Sequence, residues 1–196
     1  MLADNDAGGI TTYTVTGAKY GYGLIWFLLL LLPVAYVVQE MTVRLGAVTK
    51  RGHAEAIFDA FGSFWGWFSF LDLALVNWLT LITEFIGMTA AMSIFHIPPI
   101  FTIAIVSVVM LLMVVQGRYW TWEKSAVVFA VLNLIYIPAA FLVHPSVGEV
   151  LGQGLIPHFP GGFDSTLFFF LMANIGTTIA PWMIFFQQSA VVDKGM

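Results

Sequence analysis

The chain has 196 residues, of which 60% are hydrophobic and only 9% charged, with mean hydropathy +0.91 and a formal net charge of −4. An ordinary soluble domain carries about a quarter charged residues, so this composition excludes that class and marks an all-α integral membrane protein. Seven basic residues leave no nucleic-acid footprint, and the lack of any cysteine excludes disulfides and thiolate metal sites.

A single secretory signal is excluded as well, because apolar runs continue to the last ten residues. In chain order the sequence predicts six membrane segments. The first, 8–19, holds about twelve residues and is too short to span alone, since a spanning helix needs about 20. The second is 20–45, with Pro33 in its middle, followed by a short amphipathic stretch, GHAEAIFDAFG, at 52–62. The third, 64–95, is long enough to be tilted. The fourth is 98–116 and the fifth 125–143. A Gly/Pro-rich loop, HPSVGEVLGQGLIPHFPGG, then leads to the sixth at 163–192. None of the segments alternates over about ten residues as barrel strands do, so all read as helices.

Orientation follows from the basic residues. Arg44, Lys50 and Arg51 follow segment two, Arg118 and Lys124 follow segment four, and Lys194 follows segment six, while Lys19 alone falls opposite. Positive loops stay in the cytoplasm, so the expected protein is multi-pass and keeps these loops inside; the expected location is a prokaryotic cell membrane.

Two segments are interrupted. ADNDAGGITTY, at 3–13, concentrates acids beside the pair Gly8–Gly9, where backbone is easily unwound. NIGTTIAPWMIFF, at 174–186, places Gly176 and Pro181 inside an otherwise apolar helix. A proline there removes a donor and frees carbonyls near Thr177. Paired Gly/Pro interruptions point to the midplane site of a transporter, where unwound carbonyls meet cations. The two breaks open segments one and six, a spacing that suits two inverted repeats of five helices each. One break alone is usually only a kink; an acid cluster beside it argues for function.

The order of the acid–glycine break, YGYGLIWFLLLL, VRLGAVTKRG, EFIG and IGTTIAP resembles the NRAMP family of divalent-metal transporters over nearly all of the chain. The resemblance implies a LeuT-like inverted-repeat transporter fold, here about the first six helices. It implies a first repeat over about 1–145, an extracellular loop at 146–162 and helix six of the second repeat at 163–196. The remaining half of the same transporter is then a required partner, beside the divalent cation and the lipid bilayer.

Anchored on YGYG, the family's Asp-Pro-Gly-Asn motif falls on Asp6, Ala7, Gly8 and Gly9, and its Met-Pro-His motif on Ala180, Pro181 and Trp182. The alanine whose carbonyl binds metal in the family falls on Thr177. The resemblance therefore implies a metal site of Asp6, Ala7, Gly9, Thr177 and Ala180, with Asn5, Glu84 and Trp182 around it and Gly8, Gly176 and Pro181 breaking the helices. The soft methionine ligand is replaced by Ala180, and soft ligands are what select transition metals. A carboxylate with backbone oxygens suits Mg²⁺, which keeps several waters. The pattern is similar to the NRAMP-related magnesium transporters, so the expected cargo is Mg²⁺, with Mn²⁺ accepted and no cofactor beyond the transported ion.

The family's proton-linked histidine falls on Gln187, and its paired acids of helix three on Leu81 and Glu84. With the relay thinned, the expectation is uncoupled uptake by alternating access and no enzymatic activity. A proton-coupled Mn²⁺/Fe²⁺ transporter is the alternative within the family, and a non-transporting membrane subunit the alternative outside it. Asn5 is placed to cap the unwound turn, Asp4 to attract cations or lie solvated, and Glu40 to pair with Arg44. Asp72 has no assigned role. His53, His96, His144 and His158 lie in loops or at helix ends and share no metal-site spacing, and Tyr119, Trp120 and Trp122 suit an interfacial belt.

Overall fold

The computed structural model describes residues 6–116 and 131–195. Among these the secondary structure is entirely helical, in keeping with a backbone that must satisfy its own hydrogen bonds inside lipid. Asn5 and Asp4, the aromatics at 119–122, Arg118 and Lys124, and the first part of segment five lie outside the described residues.

Helix α1 spans Ala7–Tyr20, with Asp6 as its N-cap. It stops at Gly21, whose φ of 57° and ψ of −130° suit glycine, and α2 follows over Ile25–Thr49. The boundary thus lies beyond Tyr20, which belongs to α1 and does not begin segment two. Pro33 is accommodated within α2. Helix α3 runs over His53–Ser93 and joins the amphipathic stretch to segment three across a kink at Gly62, where φ is 81°. Only glycine takes that backbone without cost. Helix α4 is Pro99–Gln116.

Segment five is described only in its second part. Its described part is a 3-10 turn at Asn133–Ile135 and a short α5, Tyr136–Leu142. The predicted loop contains a further helix, α6, at Val147–Gly154, bent by 113° from the preceding pair. Pro145 ends the earlier helix and Ser146, in extended conformation, starts the new one. Segment six is two helices, α7 at Ser165–Thr178 and α8 at Pro181–Asp193. Asp164 caps α7 by accepting the Leu167 N–H at 2.6 Å.

Three helical stretches of the described chain are long and apolar enough to cross a membrane: Ile25–Thr49, His53–Ser93 and the broken Ser165–Asp193. A fourth is reached if the bent pair counts as one span. As expected, α1, with 14 residues, is too short to span alone. The chain is nonetheless an integral membrane protein by composition and helix length.

Helix α1 packs on α7 and α3, α2 runs along α8 and touches α7, and α3 contacts α8 and α4. The core is small: Leu24, Phe27 and Leu31 of α2 and its approach meet Leu167 and Leu171 of α7. Outward, α3 and α4 expose large apolar side chains such as Trp65, Phe68, Trp78 and Leu112. In water such a surface would be an aggregation hazard; in a bilayer it faces hydrocarbon or further protein. The ends of α2 and α8 lie together, so Arg44, Lys50, Arg51 and Lys194 share one side of the molecule.

Candidate metal site

Asp6 is extended (φ −101°, ψ 159°), which turns its carboxylate back over the first turn of α1. Its Oδ1 accepts the N–H of Gly9. From the middle of α3, Glu84 Oε1 accepts the N–H of Ala7 at 2.8 Å. Two carboxylates therefore occupy one helix N-terminus, where unpaired N–H groups and the positive end of the helix dipole favour negative charge.

Close approach makes this possible. A Cβ on Gly87 would overlap the Ala7 methyl, so α1 meets α3 backbone to backbone one turn after Glu84. On the other side, a Cβ at Gly9 would lie 2.8 Å from Asp6 Oδ1 and 3.1 Å from the Thr177 hydroxyl. Gly8 has the Thr83 hydroxyl 3.6 Å from its Cβ position. Asp6, Gly8, Gly9, Glu84 and Thr177 are thus gathered where α1, α3 and α7 meet. Thr83 and Gly87 were not singled out from the sequence; the signal that points to them is their spacing around Glu84, at i−1 and i+3.

The α7–α8 break lies at Ile179 (φ −128°, ψ 73°) and Ala180 (φ −81°, ψ 137°). Pro181 opens α8 at a position where its missing N–H costs nothing to α8 but leaves the Thr177 carbonyl without its helical donor. Ala180 is buried, and its carbonyl accepts the Met183 N–H at 3.2 Å. Trp182 is half-buried in the first turn of α8.

Four sequence-based assignments are altered by this geometry. Gly8 and Gly176 do not break helices, since both lie inside regular ones, α1 and α7. The described α1 begins at its N-cap Asp6, and the break between described helices falls at Ile179–Ala180. Gly176 is exposed, with open space beyond its Cα. The carbonyls of Ala7 and Gly9 were expected among the ligands, but helical carbonyls point toward the C-terminus, away from the capping carboxylate. That of Ala7 already accepts the Thr11 hydroxyl at 2.8 Å. In this conformation the oxygens brought together at the start of α1 are the Asp6 and Glu84 carboxylates and the Thr177 hydroxyl, whereas the Ala180 carbonyl, like that of Ala7, already accepts a hydrogen bond. Among the described residues no group of three or more His, Cys, Asp or Glu forms a metal cluster.

Around the site, α1 and α7 are joined by polar side chains. Tyr13 donates to the Thr178 hydroxyl at 2.8 Å, which itself donates to the Asn174 carbonyl at 2.7 Å. Asn174, with no exposed surface, donates to the Thr16 hydroxyl at 3.0 Å and to the Phe170 carbonyl at 2.7 Å. Leu81 is substantially exposed, and Asp72 lies on α3 in a shallow groove beside Trp65, Phe68 and Ser69. Glu40 and Arg44 form the expected i,i+4 pair at 2.5 Å.

Residues 1–196 match the family described as Natural resistance-associated macrophage protein-like, Nramp. Relatives named divalent metal cation transporter MntH include that of Mycobacterium tuberculosis, 30% identical over 98% of this chain and 45% of the relative. That of Deinococcus radiodurans is 29% identical over 96% of this chain and 43% of the relative. That of Caldanaerobacter subterraneus subsp. tengcongensis is 27% identical over 95% and 44%. The chain thus spans less than half the length of these relatives. With the whole chain matched, and with described residues that are all helical and broken at Ile179–Ala180, the protein belongs to the Nramp family, whose members share the LeuT-type transporter fold.

Proposed function

We propose that this chain forms the first repeat and opening helix of the second repeat of a divalent-cation transporter, working with the remaining half of the same transporter by alternating access. One observation carries the reading: two carboxylates, the α1 N-cap Asp6 and Glu84 of α3, meet at the N-terminus of α1 beside Thr177. Intramembrane acids are costly and are retained where they serve a pathway.

Mg²⁺ is the proposed cargo. The oxygens available are carboxylate, carbonyl and hydroxyl, with no thioether or imidazole among the residues gathered there, and hard ions prefer that set. Ala180 and Gly9 are small, which leaves room for a partly hydrated ion. Mn²⁺ suits the same ligands and is proposed as a second cargo. Gln187 cannot titrate, which supports uptake without a coupled proton, driven by the inward-negative potential at about 2.3 kcal/mol per charge per 100 mV. The side bearing Arg44, Lys50, Arg51 and Lys194 is proposed to be cytoplasmic.

The test is flux of Mg²⁺ and Mn²⁺ into proteoliposomes carrying the full-length protein, with internal pH followed at the same time. Mg²⁺ entry without acidification, abolished by Asp6→Ala, is the expected outcome. Mn²⁺ entry with acidification and no Mg²⁺ flux would replace this reading with the proton-coupled one. Full tolerance of Asp6→Asn, with no flux of either ion, would make the chain a non-transporting subunit.

A further inference from the structure

At the end of α8 remote from the break, one side chain ties the second half of segment six to the α2–α3 turn. Gln188 has no exposed surface, though it is an amide close to the polar end of the molecule. Its Nε2 donates to the Arg51 carbonyl at 3.0 Å, and its Oε1 meets His53 Nδ1 at 2.6 Å. The Arg51 carbonyl can only accept, so the amide nitrogen must face it and the amide oxygen must face His53. His53 Nδ1 therefore carries the hydrogen and donates. A second proton on Nε2 would leave this bond in place, so the arrangement is a mechanical link and not a switch driven by the imidazole charge.

The surroundings are built to hold that link. Lys50 ends α2 in the left-handed conformation (φ 53°), and Glu55 folds back to accept the Gly52 N–H at 3.2 Å, which sets the turn that presents Arg51 and His53. The Arg51 side chain pairs with Asp59 across the same turn. The His53 ring stands edge-on to Phe185 with centroids 4.6 Å apart. On α2, Gly46 lets the backbones close, since a Cβ there would be 3.1 Å from both Gln188 Cγ and its carbonyl oxygen.

We infer that Gln188 is a positioning residue that latches α8 to the turn between α2 and α3, and that the latch must open for the seam between α2 and α8 to admit water. Gln188 lies eight residues past Ala180, about 12 Å along the helix, so it touches no ion and acts through the placement of the break. The inference rests on the proposal that α7–α8 is the mobile broken helix of a transporter. Its test, however, needs neither flux nor metal.

Val191, one turn on and only 5% exposed, reports on the seam; Thr16, 3% exposed between α1 and α7, reports on a distant one. In permeabilised vesicles carrying the full-length protein on a background free of other cysteines, alkylation of Val191→Cys by a water-soluble maleimide is measured. Gln188→Ala is expected to raise the rate about tenfold, the scale of losing two buried hydrogen bonds. Gln188→Glu keeps an acceptor for His53 but no donor for Arg51, and an intermediate rise is expected. Adding His53→Ala to Gln188→Ala should change nothing further. The inference is overturned by unchanged Val191→Cys rates, by effects of His53→Ala and Gln188→Ala that add, or by an equal rise at Thr16→Cys. That last result would mean general loosening of the fold. Absence of flux with the expected alkylation pattern would overturn the transport proposal and leave the latch standing.

Discussion

Glu84 reaches across 77 positions of sequence to accept the backbone N–H of Ala7 at 2.8 Å, which fixes the start of α1 against the middle of α3. The bond gives Glu84 two separable duties, holding the helix start and supplying charge. Glu84→Ala leaves the Ala7 N–H unpaired and should cost about 1–3 kcal/mol of stability. Glu84→Gln keeps the acceptor and should retain most of that stability while weakening Mg²⁺ or Mn²⁺ binding about tenfold through loss of charge. Thermal unfolding and calorimetric ion binding on the same purified variants check both.

The α1–α3 approach depends on two small residues. Gly87→Ala forces a methyl onto the Ala7 side chain and should destabilise by about 1–3 kcal/mol, the usual cost of overpacking. Ala7→Gly in the same molecule removes the clash and should recover most of the loss. Unfolding midpoints of the two single variants and the double variant measure it; no recovery would mean that the contact is not what makes Gly87 necessary.

Asn174 and Thr16 test the junction of α1 with α7. Asn174→Ala opens a small cavity and leaves a buried hydroxyl without its donor, for an expected loss of about 2 kcal/mol. Because the two side chains bond directly at 3.0 Å, a double-mutant cycle with Thr16→Val should show coupling above about 0.5 kcal/mol. Additive losses would contradict the bond.

Pro181→Ala supplies the N–H that the Thr177 carbonyl lacks and allows α7 to continue into α8. The expected variant is at least as stable as the parent, since interior helix hydrogen bonding is restored, but its flux should fall more than tenfold. Hydrogen exchange at position 181 should show a protected amide. Unaltered flux in a protein with that protection would show that the break is not needed.

Much of the architecture was legible in the chain itself. Composition and the length of the apolar runs determined an integral membrane protein of helices, because a bilayer leaves the backbone no other partner than itself. Pro181 determined that a carbonyl near Thr177 would be freed, since the missing N–H is a covalent fact. The i,i+4 pairing of Glu40 with Arg44 followed from helical spacing alone. Gly8 and Gly176 were misplaced as breaks because glycine permits an unwound backbone without demanding it; α1 and α7 continue through both when neighbouring turns supply the bonds.

The tertiary structure supplied the contacts between residues that share no local period, two of the pairs within the site that the family resemblance had outlined and one outside it. Ala7 with Glu84, Gly9 with Thr177, and His53 with Gln188 are 77, 168 and 135 positions apart, and nothing in their spacing announces them. His53 looked like an ordinary helix-end histidine, and it acquires a partner only because α8 lies along α2. The sequence by itself determined a helical membrane protein and, through Pro181, that segment six is interrupted. Only the packing of α1, α3, α7 and α8 decided which oxygens face one another, because a side chain's partner is set by helix docking and not by the residue's own propensity.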